Sequence, residues 1–89
     1  VRRAAKRDAN EAEIVKALRE EGFQVLILGL PVDLLVWKPG GKFMFLEVKT
    51  DKGRSTEVQR KFFDSSVGCP RAFVRTPEEA LSFARAHEI

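Results

Sequence analysis

The sequence predicts an α/β fold: a mixed sheet of about four strands flanked by helices, in the order α-β-β-β-α-β-α. Three observations lead there. Short runs rich in Val, Ile, Leu, Phe and Trp recur between glycine and proline punctuation, as strands do. Two of the polar segments open with capping-box signatures and read as helices. Between Lys49 and Val74 a strand, a helix and a strand follow one another, the order of a crossover that sets two strands parallel. With 89 residues, the chain has the length of one small domain, residues 1–89.

Residues 3–20 are rich in Ala, Lys, Arg and Glu and predict the first helix. Ile14, Val15 and Leu18 form its apolar line, and Gly22 ends it at the position after the cap. Glu11 falls on the same line, so a carboxylate sits on the stripe that should face the core. Residues 23–28 form a first strand and residues 32–37 a second. The turn Pro39-Gly40-Gly41 folds a third strand, residues 43–50, back on the second. These runs are apolar on both faces, which predicts a sheet covered on both sides. Thr56-Glu57-Val58-Gln59 opens a helix to about residue 66, with Val58, Phe62 and Phe63 as its apolar side. Gly68-Cys69-Pro70 breaks it. Residues 71–75 form a short fourth strand, and Thr76-Pro77-Glu78-Glu79 opens a last helix with Pro at its first position and Leu81 and Ala84 inward.

Composition narrows the classes. The hydrophobic share is 44% and the charged share 33%, as in a globular protein and unlike a disordered tail. No apolar run approaches the roughly 18–20 residues of a membrane span, and the basic start has no apolar run after it of the kind a signal peptide carries. Starting on Val1 and not Met points to processing or excision. A single cysteine, Cys69, precludes an internal disulfide and is expected to be a small, partly buried residue in a reducing, cytoplasmic compartment. No membrane and no disulfide-linked partner is expected. A net charge of +3 leans weakly toward a polyanionic partner.

The chemistry is carried by acidic residues inside apolar strands, because an unpaired buried carboxylate is costly. Asp33 opens the second strand. Glu47 stands within Phe43-Met44-Phe45-Leu46-Glu47-Val48-Lys49, where alternation puts Glu47 and Lys49 on one face and Val48 on the other. The hairpin brings Asp33 and Glu47 to the same end of the sheet. Two carboxylates and a lysine on one face suit a divalent metal such as Mg²⁺, which is typically held by one or two carboxylates, and Lys49 could orient a water or stabilise a scissile phosphate. Glu11 could join the site directly or through water, and Gln59, in the first turn of its helix, could reach the same end.

The ordered set of Glu11, a Gly-x-Pro segment before Asp33-Leu34, Glu47-Val48-Lys49 and Gln59 resembles the PD-(D/E)xK nuclease superfamily, and more narrowly its stand-alone virus-type replication-repair nuclease (VRR-NUC) domains. The resemblance spans nearly the whole chain. It implies a restriction-endonuclease-like core and Mg²⁺-dependent cleavage of phosphodiester bonds in DNA, with Mn²⁺ able to substitute. It further implies a homodimer acting on branched, Holliday-junction-type DNA, and a viral or bacterial origin. By position, Asp33 and Glu47 would be metal ligands with the Val48 backbone carbonyl, Lys49 would stand by the attacking water, and Glu11 and Gln59 would support the site. Val32 departs from the pattern, in which proline directly precedes the aspartate.

Each residue also has a plainer reading. Glu47 and Lys49 could be an exposed edge-strand pair, Asp33 a turn cap, Glu11 a solvated residue, and Gln59 only the third residue of a capping box. Lys52, Arg54, Arg60 and Lys61 near the site, with Arg3 and Arg7 in the first helix, could grip phosphates or form solvated faces. A flap or duplex nuclease, or a DNA-binding module without catalysis, would carry much the same sequence. His87 reads as a surface residue near a helix end, and Trp37 as packing at a strand end.

Overall fold

In the computed structural model, which describes residues 9–49, 57–66 and 68–88, the element order is the one expected. It runs α1 (Ala9–Glu20), β1 (Gln24–Ile27), β2 (Leu34–Trp37), β3 (Met44–Val48), α2 (Glu57–Ser65), β4 (Arg71–Val74) and α3 (Pro77–Ala86). The expected first two turns of α1, the loop between β3 and α2 and the capping residue Thr56 lie outside the described residues.

The strands form one mixed sheet in the order β1-β2-β3-β4. β1–β2 and β2–β3 are antiparallel, and β3–β4 is parallel, as the crossover through α2 requires. The chain enters this sheet through a tight helix end. Gly22, at φ +100°, donates to the Arg19 carbonyl at 3.0 Å, and Phe23 donates to the Leu18 carbonyl at 3.0 Å. This pair of bonds is the Schellman pattern, which only a residue at ease with positive φ closes without strain. Phe23 and Leu18, joined by that bond, are both buried. At the hairpin, Gly41 donates to the Lys38 carbonyl at 2.8 Å across Pro39 and Gly40, with Gly40 at φ +84°.

Register sorts the side chains. Val25 pairs with Val36, Leu34 with Leu46, Val36 with Met44 and Val48 with Val74. These residues are buried with Ile14, Val15 and Leu18 of α1 and Ala80 and Ala84 of α3 in a single apolar cluster. Burying each of the larger side chains contributes about 1.5–3 kcal/mol. α3 is fixed at its start by Thr76, whose hydroxyl accepts from the Glu79 amide at 3.0 Å. The Glu79 carboxylate reaches back one residue further than a standard capping box, to the Arg75 amide at 2.6 Å. It thus ties the helix to the strand that feeds it.

The opposite face departs from expectation. It carries Leu26, Leu35, Phe45, Glu47, Arg71 and Phe73, and α2 lies against it through Phe62 on Phe45 (ring centroids 5.0 Å apart) and Phe63 on Phe73 (4.5 Å). One helix does not span the face, so Leu26 and Phe73 remain exposed. Within α2 the expected inward residue Val58 is exposed, Phe62 and Phe63 are half-buried, and Gln59 is the buried one. Cys69 is exposed, contrary to expectation, because it sits in the turn that ends α2, where its amide donates to the Ser66 carbonyl at 2.9 Å. His87 is half-buried at the end of α3, with Nδ1 3.0 Å from the Phe83 carbonyl. Trp37 packs edge-on against Phe43, as a strand-end residue should. No helix among the described residues is long and apolar enough to cross a membrane.

Candidate active site

The pairing of Leu34 with Leu46 carries on one step to set Asp33 opposite Glu47. The two residues then interlock. The Asp33 amide donates to Glu47 Oε1 at 3.2 Å, and the Val48 amide donates to Asp33 Oδ2 at 2.8 Å. Each carboxylate is therefore held by a backbone N–H of the other strand, and neither can swing away without losing that bond. The loop before Asp33 supports this geometry. Leu28 donates to the Asp33 carbonyl at 2.8 Å, and Val32 is fully buried. Val32 is thus an apolar peg beside which Asp33 stays half-exposed.

Lys49 comes off the same face of β3 as Glu47. Its Nζ lies 3.5 Å from Glu47 Oε2 and 3.4 Å from Gln59 Oε1. Glu47, Lys49 and Gln59 are all buried, at 2%, 7% and 7% exposure. The edge-strand reading of Glu47 and Lys49 fails on those numbers, because a solvated pair would be open to water. Gln59 is more than a capping residue, since its side chain faces the lysine. Burial first, and then the Asp33 charge, push the Glu47 carboxyl up to about 7, with Lys49 pulling the other way.

Glu11 is buried, as its place on the inward stripe of α1 implies, and it lines a cavity of about 570 Å³ with Val15, Arg19 and Ile27. Among the described residues no group of three or more His, Cys, Asp and Glu side chains is arranged to hold a metal ion, so Glu11 is not joined to Asp33 and Glu47 in such a group. Its neighbour Asn10 escaped the sequence reading. The Asn10 amide donates to the Lys49 and Arg75 carbonyls, both at 3.1 Å, and so fastens the start of α1 to the carboxyl ends of β3 and β4. Nothing in the sequence marks it, since an Asn among charged helix residues looks solvated.

Arg60 and Lys61 are exposed on α2, and Lys61 pairs with Glu57 at 3.4 Å in a surface ion pair of little energetic weight. Arg3, Arg7, Lys52 and Arg54 lie outside the described residues. The other feature the sequence did not mark is Phe73, directly across from Glu47 on β4 and 43% exposed, with Lys49 Nζ 5.5 Å from its ring centre. An apolar residue in a strand reads as core, and only the open edge of the sheet makes it otherwise.

Asp33 and Glu47 thus set two carboxylates across one hydrogen-bonded pair of strands with the Lys49 ammonium beside them, and burial together with the Asp33 charge disfavours ionisation of Glu47. The VRR-NUC domain family matches the chain over residues 3–75. No curated protein and no solved structure matches it.

Proposed function

The chain belongs to the VRR-NUC domain family, a nuclease family, and from that premise we propose that it is a divalent-metal-dependent endonuclease acting as a homodimer on branched, Holliday-junction-type DNA. The observation that carries the proposal is the interlocked Asp33–Glu47 pair, with Lys49 buried beside it. Charges held together out of water are expensive. A site that binds Mg²⁺, or Mn²⁺ in its place, gives a reason to hold them so.

Asp33, Glu47 and the Val48 carbonyl would hold the ion, which supplies charge neutralisation at the phosphate and a more acidic water. The chain's own groups do the rest. The Val48 amide fixes Asp33 Oδ2, and Oδ1 would be the oxygen offered to the ion. Lys49 offers its ammonium to the attacking water and to the non-bridging phosphate oxygens, where negative charge grows as water adds in line and the bond to the departing sugar oxygen breaks. Gln59 and Glu47 hold that ammonium from two sides. Glu11 supports the site through water. Arg60 and Lys61, with Lys52, Arg54, Arg3 and Arg7, supply phosphate contacts. A domain of 89 residues offers little surface of its own, so a second copy would give two sites for the two strands of a junction.

The test incubates junction, flap and duplex DNA with Mg²⁺, Mn²⁺ or EDTA. Cleavage that requires the metal and is fastest on the junction is expected. No metal-dependent cleavage of any substrate would sink the enzyme reading. Cleavage of flap or duplex in preference would move the substrate, and salt-sensitive binding without cutting would make the domain a binding module.

A further inference from the structure

We propose that Phe73 is a stacking platform for an unpaired base next to the scissile phosphate. The site would then select DNA in which a nucleotide at the cleavage point is already out of the helical stack. This inference rests on the nuclease reading of Asp33, Glu47 and Lys49 and adds to it a substrate feature and the residue that reads it.

Four observations meet on this side chain. Phe73 is cross-strand from Glu47 in the parallel register, so its ring emerges on the face that carries the carboxylates. Lys49 Nζ stands 5.5 Å from the ring centre. A phosphate gripped by Lys49 would lie beside this ring, within reach of the same nucleotide's base. The ring is also fixed in orientation. It stacks on Phe63 with centroids 4.5 Å apart and planes 21° from parallel, and Arg71 binds the Phe63 carbonyl through Nε at 2.8 Å. A pre-set plane loses little freedom on binding, which favours affinity. Finally, β4 is the edge of the sheet and Phe73 is 43% exposed, so part of the ring is open to a ligand.

In intact duplex every base lies inside the stack and presents only its edges to the grooves. A ring beside the phosphate-handling lysine can offer its face only to a base that has left the stack. Aromatic stacking is indifferent to base identity, because every base has a π face. Selectivity of this origin reads structure and not sequence.

The experiment has a cleavage arm and a binding arm, each with wild type, Phe73→Leu and Phe73→Trp. Leu keeps apolar bulk against Phe63 without a π face, and Trp keeps the face. Cleavage is measured in Mg²⁺ on two DNAs of one sequence, one fully paired and one with a splayed nucleotide at the cleavage point. Binding is followed in Ca²⁺ by the fluorescence of 2-aminopurine at that nucleotide, which stacking quenches. Wild type is expected to favour the splayed DNA. Phe73→Leu should lose that preference by about 5-fold or more, leaving duplex cleavage unchanged, and Phe73→Trp should restore it. Quenching should follow the same order. Equal preference in wild type and Phe73→Leu, or a probe signal that is absent or indifferent to Phe73, overturns the proposal and leaves the nuclease reading intact. Quenching that depends on Phe73 without cleavage of any DNA keeps the platform and removes the nuclease.

Discussion

On one face of the sheet Leu34, Val36, Met44, Leu46 and Val74 are shut from water against α1 and α3. On the other, Glu47, Lys49 and Gln59 are buried while Phe73 and Leu26 lie open. The usual sorting of apolar inside and charged outside holds on the first face and is inverted around the site on the second. The first face stabilises the chain by area removed from water. The second holds a carboxyl, Glu47, whose charged form is disfavoured by burial and by the Asp33 charge. Such an inversion is how functional sites depart from the local rules that the rest of a fold obeys.

The contrast can be broken from either side. The largest effect is expected on the packed face. Leu46→Ala should lower unfolding free energy by about 2–5 kcal/mol in denaturant titration, because it deletes a fully buried side chain and leaves a cavity. The site should keep its relative activity on the three DNAs at temperatures where the variant stays folded. Next comes Lys49→Ala on the inverted face. Its rate of metal-dependent cleavage should fall about 10²–10³-fold in single-turnover assays, and full activity would remove Lys49 from the mechanism.

A smaller effect sharpens the comparison through pH. The folded-state pKa of Glu47, about 7, lies above its ordinary value of 4.5, so the folded protein binds this proton more tightly than the unfolded chain does. In EDTA, this group's unfavourable contribution is then fully present above pH 7. It is relieved progressively as pH falls from 7 to 4.5. Thermal melting of wild type minus Glu47→Gln, compared at pH 8 and pH 5, should show wild type gaining on the variant toward pH 5, by an amount on the order of 1–3 kcal/mol. No change in the difference would mean the carboxyl is not destabilised. The smallest effect belongs to neither face. Thr76→Ala removes the α3 cap and should reduce stability by about 1 kcal/mol without altering cleavage.

The packed face was legible in the sequence. Short apolar runs between glycine and proline breaks, the Gly22 helix stop, the Pro39-Gly40-Gly41 turn and the Thr76 cap are local signals, and local signals determined the element order. Much of the site was legible for a related reason: a hairpin has a register, and register sets Asp33 opposite Glu47. What escaped depends on contacts between elements. The apolar residues of α2 predicted an inward face at Val58, Phe62 and Phe63, but the helix covers only part of the sheet and turns Gln59 toward Lys49. Asn10 bridges two carbonyls that are 39 and 65 residues away in the chain, beyond any window of local pattern. Phe73 went unmarked because nothing in a strand's composition tells that it lies at the edge. Cys69 was expected to be partly buried on the habit of its residue type, and the turn at the end of α2 decided otherwise.

The central claim is that the charged face is held for metal-dependent chemistry at the expense of stability, and Glu47→Gln tests it most directly. The variant keeps the shape and an oxygen to accept the Asp33 amide, and it removes the charge that faces Asp33. Its unfolding free energy in EDTA at pH 8 and its cleavage of junction DNA in Mg²⁺ are to be measured on the same preparation. The expected result is a protein at least as stable as wild type that no longer cuts. A Glu47→Gln variant that is less stable and cleaves as wild type does would contradict the claim, since the carboxylate would then serve the fold and not the reaction.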